Sequence, residues 1–256
     1  MKHILINQIV DISANYENGN FPASNLLDMR PKRIWSAGGI RVNATIALEV
    51  SGNISDIAIF NTNAKTATFA ASDPCEIEWA ETDAWAETDT WANSGIGTIT
   101  GTVTQVSNSD ALWISLSTPI TVPCVMSINL TSTGSEVLYA GAIVAGMAED
   151  YGGANFRYGA GEQLVDYSIV SQNSAGSRYY KKRDIVRQVQ LTALMLRTES
   201  TKLLDTVRNY GAVPSAWKLY QDDAATDDIM LAYPTVSRSI DHRLHDNITL
   251  TLNEVA

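Results

Sequence analysis

Apolar residues over the first 145 positions fall in short runs, many with a period of two, divided by Asn, Ser, Gly and Pro. A period of two places alternate side chains on one face of an extended chain. The pattern predicts strands over Ile4–Ile12, Val42–Val50, Ile54–Asn61, Thr66–Ala71, Glu76–Trp79, Gly97–Val106, Ala111–Ser117, Cys124–Thr131 and Val137–Val144. In the seventh of these, Leu112, Ile114 and Leu116 share a face. Turn formers such as Gly52-Asn53, Asn61-Thr62-Asn63 and Ser132-Thr133-Gly134 separate the runs. Short strands at this spacing predict an antiparallel jelly roll or β-sandwich.

Near residues 145–163 the pattern changes. Gly146, Gly152, Gly153, Gly159 and Gly161 cluster there and mark a boundary. Arg187–Leu196 then alternates, with Val189, Leu191 and Ala193 on one face. Thr198 reads as the N-cap of a helix through about Asn209, with Leu203, Leu204 and Val207 as its apolar face and Gly211 as its stop. Pro214 favours an extended restart into Trp217–Tyr220, and Ile248–Leu252 closes the chain as a period-two strand. The expected fold is mainly β: a jelly-roll β-sandwich domain over 1–148, then a smaller α+β domain over 149–256.

Charge refines this picture. The 256 residues carry a net charge of −10. Residues 1–145 hold six Lys/Arg against fourteen Asp/Glu, a net −8, and residues 146–256 hold twelve against fourteen, a net −2. The acidic first part would repel phosphates, so no nucleic-acid partner is expected. The longest apolar stretch, Val137–Ala148, is interrupted by Tyr139, Gly141 and Gly146 and is too short to span a bilayer. No membrane insertion is expected, and the first residues lack the apolar core of a secretory signal, so a soluble chain made in a cytosol is the expectation. Cys75 and Cys124 lie far apart beside Pro74 and Pro123, and read as buried thiols rather than metal ligands.

Candidate chemistry is sparse. There is no Gly-x-Ser-x-Gly elbow and no phosphate-binding Walker loop. His242 and His245 lie three apart with Arg243 between them and no Cys nearby, which argues against a metal site. No catalytic residue, metal or cofactor is expected. An unusual feature is the repeat Trp79-Ala80-Glu81-Thr82-Asp83-Ala84, Trp85-Ala86-Glu87-Thr88-Asp89-Thr90, Trp91. A period of six puts its Trp residues on one side of an extended chain. Packing under solvated acids is one reading; glycan contact through Trp85, Trp91, Asp83 and Asp89 is the other. Calcium at Asp83, Glu87 and Asp89 is disfavoured, because no Asp-x-Asp-x-Asp-Gly loop is present. The densest basic cluster is Arg178, Tyr179, Tyr180, Lys181, Lys182 and Arg183, with Arg187 beyond it. It reads as a solvated surface, as a subunit interface against the acidic part of another copy, or as a nucleic-acid contact, in that order.

Two stretches carry resemblances. Asn25-Leu26-Leu27-Asp28, a basic spacer and Trp35 resemble the opening of discoidin-like jelly rolls. In that setting Trp35 plugs the core, while Asn25 and Asp28 hold a turn. The second part resembles tail-tip or baseplate virion proteins of tailed bacteriophages, in the style of distal tail proteins. The matching pieces are Tyr158-Gly159 with Val165-Asp166-Tyr167-Ser168, then Gly176-Ser177-Arg178-Tyr179-Tyr180, then Thr198-Glu199 with Arg208-Asn209-Tyr210-Gly211 and Pro214, and finally Ile248 to Glu254. Ile57 to Ala64 resembles the central strand and turn of the accompanying jelly roll. The resemblance implies a non-enzymatic virion subunit, assembled in the host cytoplasm, that forms an oligomeric ring with copies of itself and other tail proteins. Some such proteins also touch host-surface glycans. A glycan-binding module on the virion is the alternative, and a polysaccharide-degrading enzyme ranks below it.

Overall fold

A computed structural model describes residues 2–4, 6–72, 99–104, 110–121, 123–133, 135–151, 155–156, 161–172, 178–182, 185–219, 229–240 and 243–255. The strands in chain order begin with β1 (Lys2–Ile4), β2 (Ile9–Ala14), β3 (Trp35–Ile40), β4 (Asn43–Val50), β5 (Ile54–Phe60), β6 (Thr66–Ser72) and β7 (Ile99–Thr104). They continue with β8 (Ala111–Ile120), β9 (Cys124–Thr131), β10 (Val137–Ala140), β11 (Ala142–Gly146), β12 (Ala148–Asp150), β13 (Asn155–Phe156) and β14 (Gly161–Asp166). Then follow β15 (Ile169–Gln172), β16 (Arg178–Lys181), β17 (Ile185–Leu196), the helix α1 (Arg197–Tyr210), β18 (Ser215–Lys218), β19 (Ile229–Ser239) and β20 (His245–Glu254). The protein is mainly β, with antiparallel sheets and one α-helix among the described residues.

A β-sandwich forms the first part. Its five-stranded sheet runs β2-β4-β9-β6-β7, and its three-stranded sheet runs β11-β5-β8. Alternation explains the five-stranded sheet: β4 and β9 bury every second residue, with Ala44, Ile46, Leu48 and Val50 facing the core beside Met126, Ile128 and Leu130. Sheet β11-β5-β8 is apolar on both faces instead. Ile57, Ile59, Leu112, Ile114 and Ile143 enter the sandwich core, whereas Ala58, Phe60, Ala111, Trp113 and Val144 face the opposite way. A strand buried on both faces reads as a continuous apolar run, as Ile57-Ala58-Ile59-Phe60 does.

What covers that second face is an eight-stranded sheet, ordered β12-β1-β18-β19-β20-β17-β13 with β14 also paired to β17. Ile4, Ala216 and Leu231 of this sheet pack against Ala58, Phe60 and Trp113. On its far side, α1 covers a separate core of Val189, Leu191, Met195, Leu203, Trp217, Ile248 and Leu250. The layers are therefore sheet, sheet, sheet, helix. The first strand of the chain belongs to the large sheet, since β1 pairs with both β12 and β18.

Several expectations shift in detail. Ile4–Ile12 is two strands, because Gln8 N–H donates to Ala145 O (2.7 Å) and Asn7 Oδ1 accepts from Ala145 N–H (3.0 Å) where the chain leaves the large sheet for the sandwich. Val137–Val144 divides at Gly141. A Cβ there would lie 2.0 Å from Pro31 O, so only glycine admits the close approach. Thr198 is not the N-cap. β17 runs directly into α1 with Leu196 at the cap position, and Arg197 N–H donates to Leu244 O (3.0 Å). Gly211 does end the helix, and a Cβ on it would sit 2.4 Å from Val207 O. Trp35 is fully buried, and its Nε1–H donates to Tyr16 O (3.1 Å). Asn25 Nδ2 donates to Ile34 O (2.9 Å), and Asp28 pairs with Arg33 (2.7 Å), which ties the turn before β3 together.

Candidate assembly surface

The edge of the large sheet grows into a long β-ribbon. β14 pairs with β17 from Gly161↔Gln190 to Asp166↔Ile185, and β15 then pairs with β16 from Ile169↔Lys181 to Gln172↔Arg178. The register changes by one residue between the two pairings, so they form one ribbon with an irregularity at 167–168. Asp166 Oδ1 accepts from Ser168 N–H there (2.8 Å), and hydrogen bonds from the Ser168 side chain and then its N–H hold the Asp166 carboxyl below its usual range. At about 3.3 Å per residue, the twelve positions 161–172 span about 40 Å.

The ribbon exposes large apolar side chains. Leu164 is 70% and Ile185 57% exposed, and Tyr167 and Ile169 are exposed as well. The register places Leu164 and Ile185 on the same face. Beside them Arg187 Nε pairs with Glu162 Oε1 (2.7 Å). Of the predicted basic cluster, Arg178, Lys181 and Lys182 are exposed on or next to β16, farther along the ribbon. Tyr179 and Tyr180 lie on β16, but their side chains, like Arg183, fall outside the described residues. Trp85, Trp91, Asp83 and Asp89 also fall outside them, as do Glu76–Trp79, Glu87, Cys75 and His242. Cys124 is buried at the start of β9. His245 begins β20, an extended strand and not a helix face.

Two buried polar clusters support the sheet from which the ribbon grows. Asp246, at the start of β20, has no exposed side chain and receives Ser200 Oγ (2.5 Å), Arg238 Nε (3.2 Å) and Arg197 Nη2 (3.3 Å). The Ser200 hydrogen bond, with the two guanidinium groups, outweighs burial and keeps its carboxyl low. This cluster pins the first turn of α1 to β19 and β20.

The second cluster is centred on His3 of β1. Its ring stacks between Tyr151 (5.2 Å between centroids) and Trp217 (4.7 Å), wholly buried, and neither ring nitrogen has a hydrogen-bond partner. Burial lowers its pKa to about 4, opposed by the Glu149 carboxylate 3.9 Å away and assisted by Lys202. Burial would raise Glu149, but hydrogen bonds from Lys202 (2.9 Å) and Tyr151 (2.8 Å) hold it below its ordinary value. No sequence reading singled out His3. Its only signal is a polar residue opening an apolar run, which period counting treats as a strand start.

A shallow groove of about 470 Å³ runs between α1 and β19, floored by Leu204, Val207, Pro234 and Val236. Among the described residues, no three His, Cys, Asp or Glu side chains converge as a metal site, and no helix is long and apolar enough to cross a membrane. No protein-family model matches the chain, and no curated protein matches it in sequence.

Proposed function

We propose that this protein is a structural subunit that assembles with copies of itself, as a component of a bacteriophage tail near its tip or baseplate. The single observation that supports assembly most strongly is the ribbon. An isolated two-stranded ribbon is marginal in water, because neither of its faces is covered by a third element. This one exposes Leu164, Tyr167, Ile169 and Ile185, and such a grouping is expected at a contact surface. The basic residues Arg178, Lys181 and Lys182 farther along the ribbon complement the net −8 of residues 1–145, and complementary charge orients copies as they meet. A contact between different surfaces of identical subunits closes into a ring when the rotation allows. The tail assignment rests on the resemblance of the second part to tail-tip proteins.

Light scattering and electron microscopy of the purified protein test assembly: a discrete ring is expected, and a monomer at every concentration overturns it. Antibody labelling of particles tests location: label at the distal end of the tail supports the assignment, and a protein absent from particles refutes it. Host-surface contact by the acidic Trp repeat is the second reading, motivated by its six-residue period. Trp85→Ala and Trp91→Ala should abolish binding to host polysaccharide, and an inert wild type removes that reading.

A further inference from the structure

One end of the large sheet is built from two strands of three residues each. β12 is outermost, and β1 lies between it and β18. His3 stands opposite Glu149 on one side and Trp217 on the other. The two faces of β1 are anchored differently. Ile4 packs against the sandwich, whereas His3 fills the slot between the Tyr151 and Trp217 rings. The middle of the sheet is held far more extensively, with β17 and β20 paired from Gln188↔Asn253 to Leu196↔His245.

His3 is the group in this end that answers to mild acid. Both ring nitrogens are buried without a hydrogen-bond partner, and a protonated imidazole carries two donors that each need an acceptor. The charged groups around it are already engaged or opposed to it. From β12, Glu149 lies 3.9 Å away but accepts from Tyr151 Oη (2.8 Å) and from Lys202 Nζ (2.9 Å). From α1, Lys202 repels a second positive charge, and Glu199 acts on Tyr151 with one carboxylate oxygen buried and unpartnered. The chain's amino group also opposes charge on the ring, and Trp217 is what β18 sets against it. Burial is the largest influence and brings the ring's pKa to about 4. A ring released from the slot regains its ordinary value of 6.5.

We infer that β12 and β1 form an acid-released edge of the large sheet, with His3 as its trigger, and that this edge opens while the sandwich stays folded. Above pH 6.5 the ring is neutral whether the edge is closed or open, so the latch holds at full strength. Below 6.5 a proton binds the open form and not the closed one. Opening then becomes about tenfold more favourable per pH unit, until the closed form titrates as well. Glu149, whose carboxyl is held below its ordinary value, stays ionised over most of this window. Short strands at a sheet edge open locally at lower cost than its centre. Opening bares the outer backbone edge of β18 and the Trp217 ring, and an unpaired edge is a template for another strand. It also parts Glu149 from Lys202, which removes a tie between α1 and this end of the sheet.

Hydrogen–deuterium exchange read by peptide mass spectrometry tests this at pH 7.5 and 5.5, with labelling times scaled for the intrinsic pH dependence of exchange. In the wild type, peptides covering β1, β12 and β18 should lose about tenfold in protection relative to those covering β4 and β9. His3→Phe keeps a ring in the slot but cannot titrate there, and should show no such differential loss. His3→Leu takes its place if the larger ring prevents folding. Glu149→Gln removes the neighbouring carboxylate and leaves the histidine, so its differential loss should match the wild type. Protection that falls equally in all strands of the wild type, or in none, overturns the proposal. So does a differential loss that persists without His3, or one that disappears in Glu149→Gln.

Discussion

Replacing His3 with Phe should flatten the acid limb of this protein's stability. In the folded state the His3 imidazole is wholly buried between Tyr151 and Trp217, and its pKa is lowered from 6.5 to about 4. The unfolded chain therefore takes up a proton at this site below pH 6.5, whereas the folded chain resists until about pH 4. Between those values the unfolded state binds more protons, so stability falls as pH falls. The neutral imidazole's contribution is fully present above pH 6.5 and is lost as the pH drops to 4. A difference of 2.5 pH units at 1.36 kcal/mol each gives about 3 kcal/mol across the window. Phe keeps an aromatic ring between Tyr151 and Trp217 and removes both unpartnered nitrogens, so it should cost little at pH 7.5, within about 2 kcal/mol of wild type after allowing for its larger ring. Glu149 and Asp246, whose carboxyls are held low, lose stability at still lower pH in both proteins. Urea denaturation of wild type and His3→Phe at pH 7.5, 6.5, 5.5 and 4.5 isolates the histidine. The wild type should lose about 2–3 kcal/mol more than the variant between pH 6.5 and 4.5. Parallel curves would show that His3 already carries its proton in the fold, or that Glu149 moves to stabilise the charged ring, and would refute the reasoning.

Other changes probe the remaining layers. Asp246→Asn weakens the charged contacts to Arg197 and Arg238 at the helix start; the melting temperature should fall, and hydrogen exchange should show α1 losing protection before the sandwich does. Gly141→Ala drives a Cβ into the Pro31 carbonyl and should cost about 3 kcal/mol in urea denaturation, with a neutral result showing that the β10–β11 junction moves freely. Trp113→Phe deletes the 2.8 Å hydrogen bond to buried Asp56 and should cost about 2 kcal/mol, measured the same way. Leu164→Asp on the ribbon should leave the melting temperature within about 1 °C of wild type, because the side chain is largely in water, yet lower the oligomer population in mass photometry.

The sequence alone determined the elements whose alternation is local. β4 and β9 were legible because one face is buried and the other half-exposed, so the period of two survives in the residue types. The helix was legible from Leu203, Leu204 and Val207, and its end from Gly211. Trp35 and its turn were legible because an Asn/Asp turn beside a lone Trp has few physical uses other than a capped turn and a core plug. β3 and β19 were missed: Gly38 and Gly39 dilute the first, and Pro234 breaks the apparent strand pattern of the second.

Only the tertiary structure decided the rest, because it depends on which strands meet. Ile57-Ala58-Ile59-Phe60 states that both faces of a strand are apolar, and cannot say that one looks into the sandwich and the other onto Ile4 and Leu231. Ile4 reads as the start of a strand running to Ile12, yet it ends a separate strand, Lys2–Ile4, whose partners lie about 145 and 215 positions away. The basic cluster was visible as a run of residue types, but its place on a ribbon, farther along than exposed Leu164 and Ile185, follows from the pairing of β14 with β17 and β15 with β16. Local periodicity is written into neighbouring residues; the composition of a surface is set by long-range register, which no short window of sequence contains.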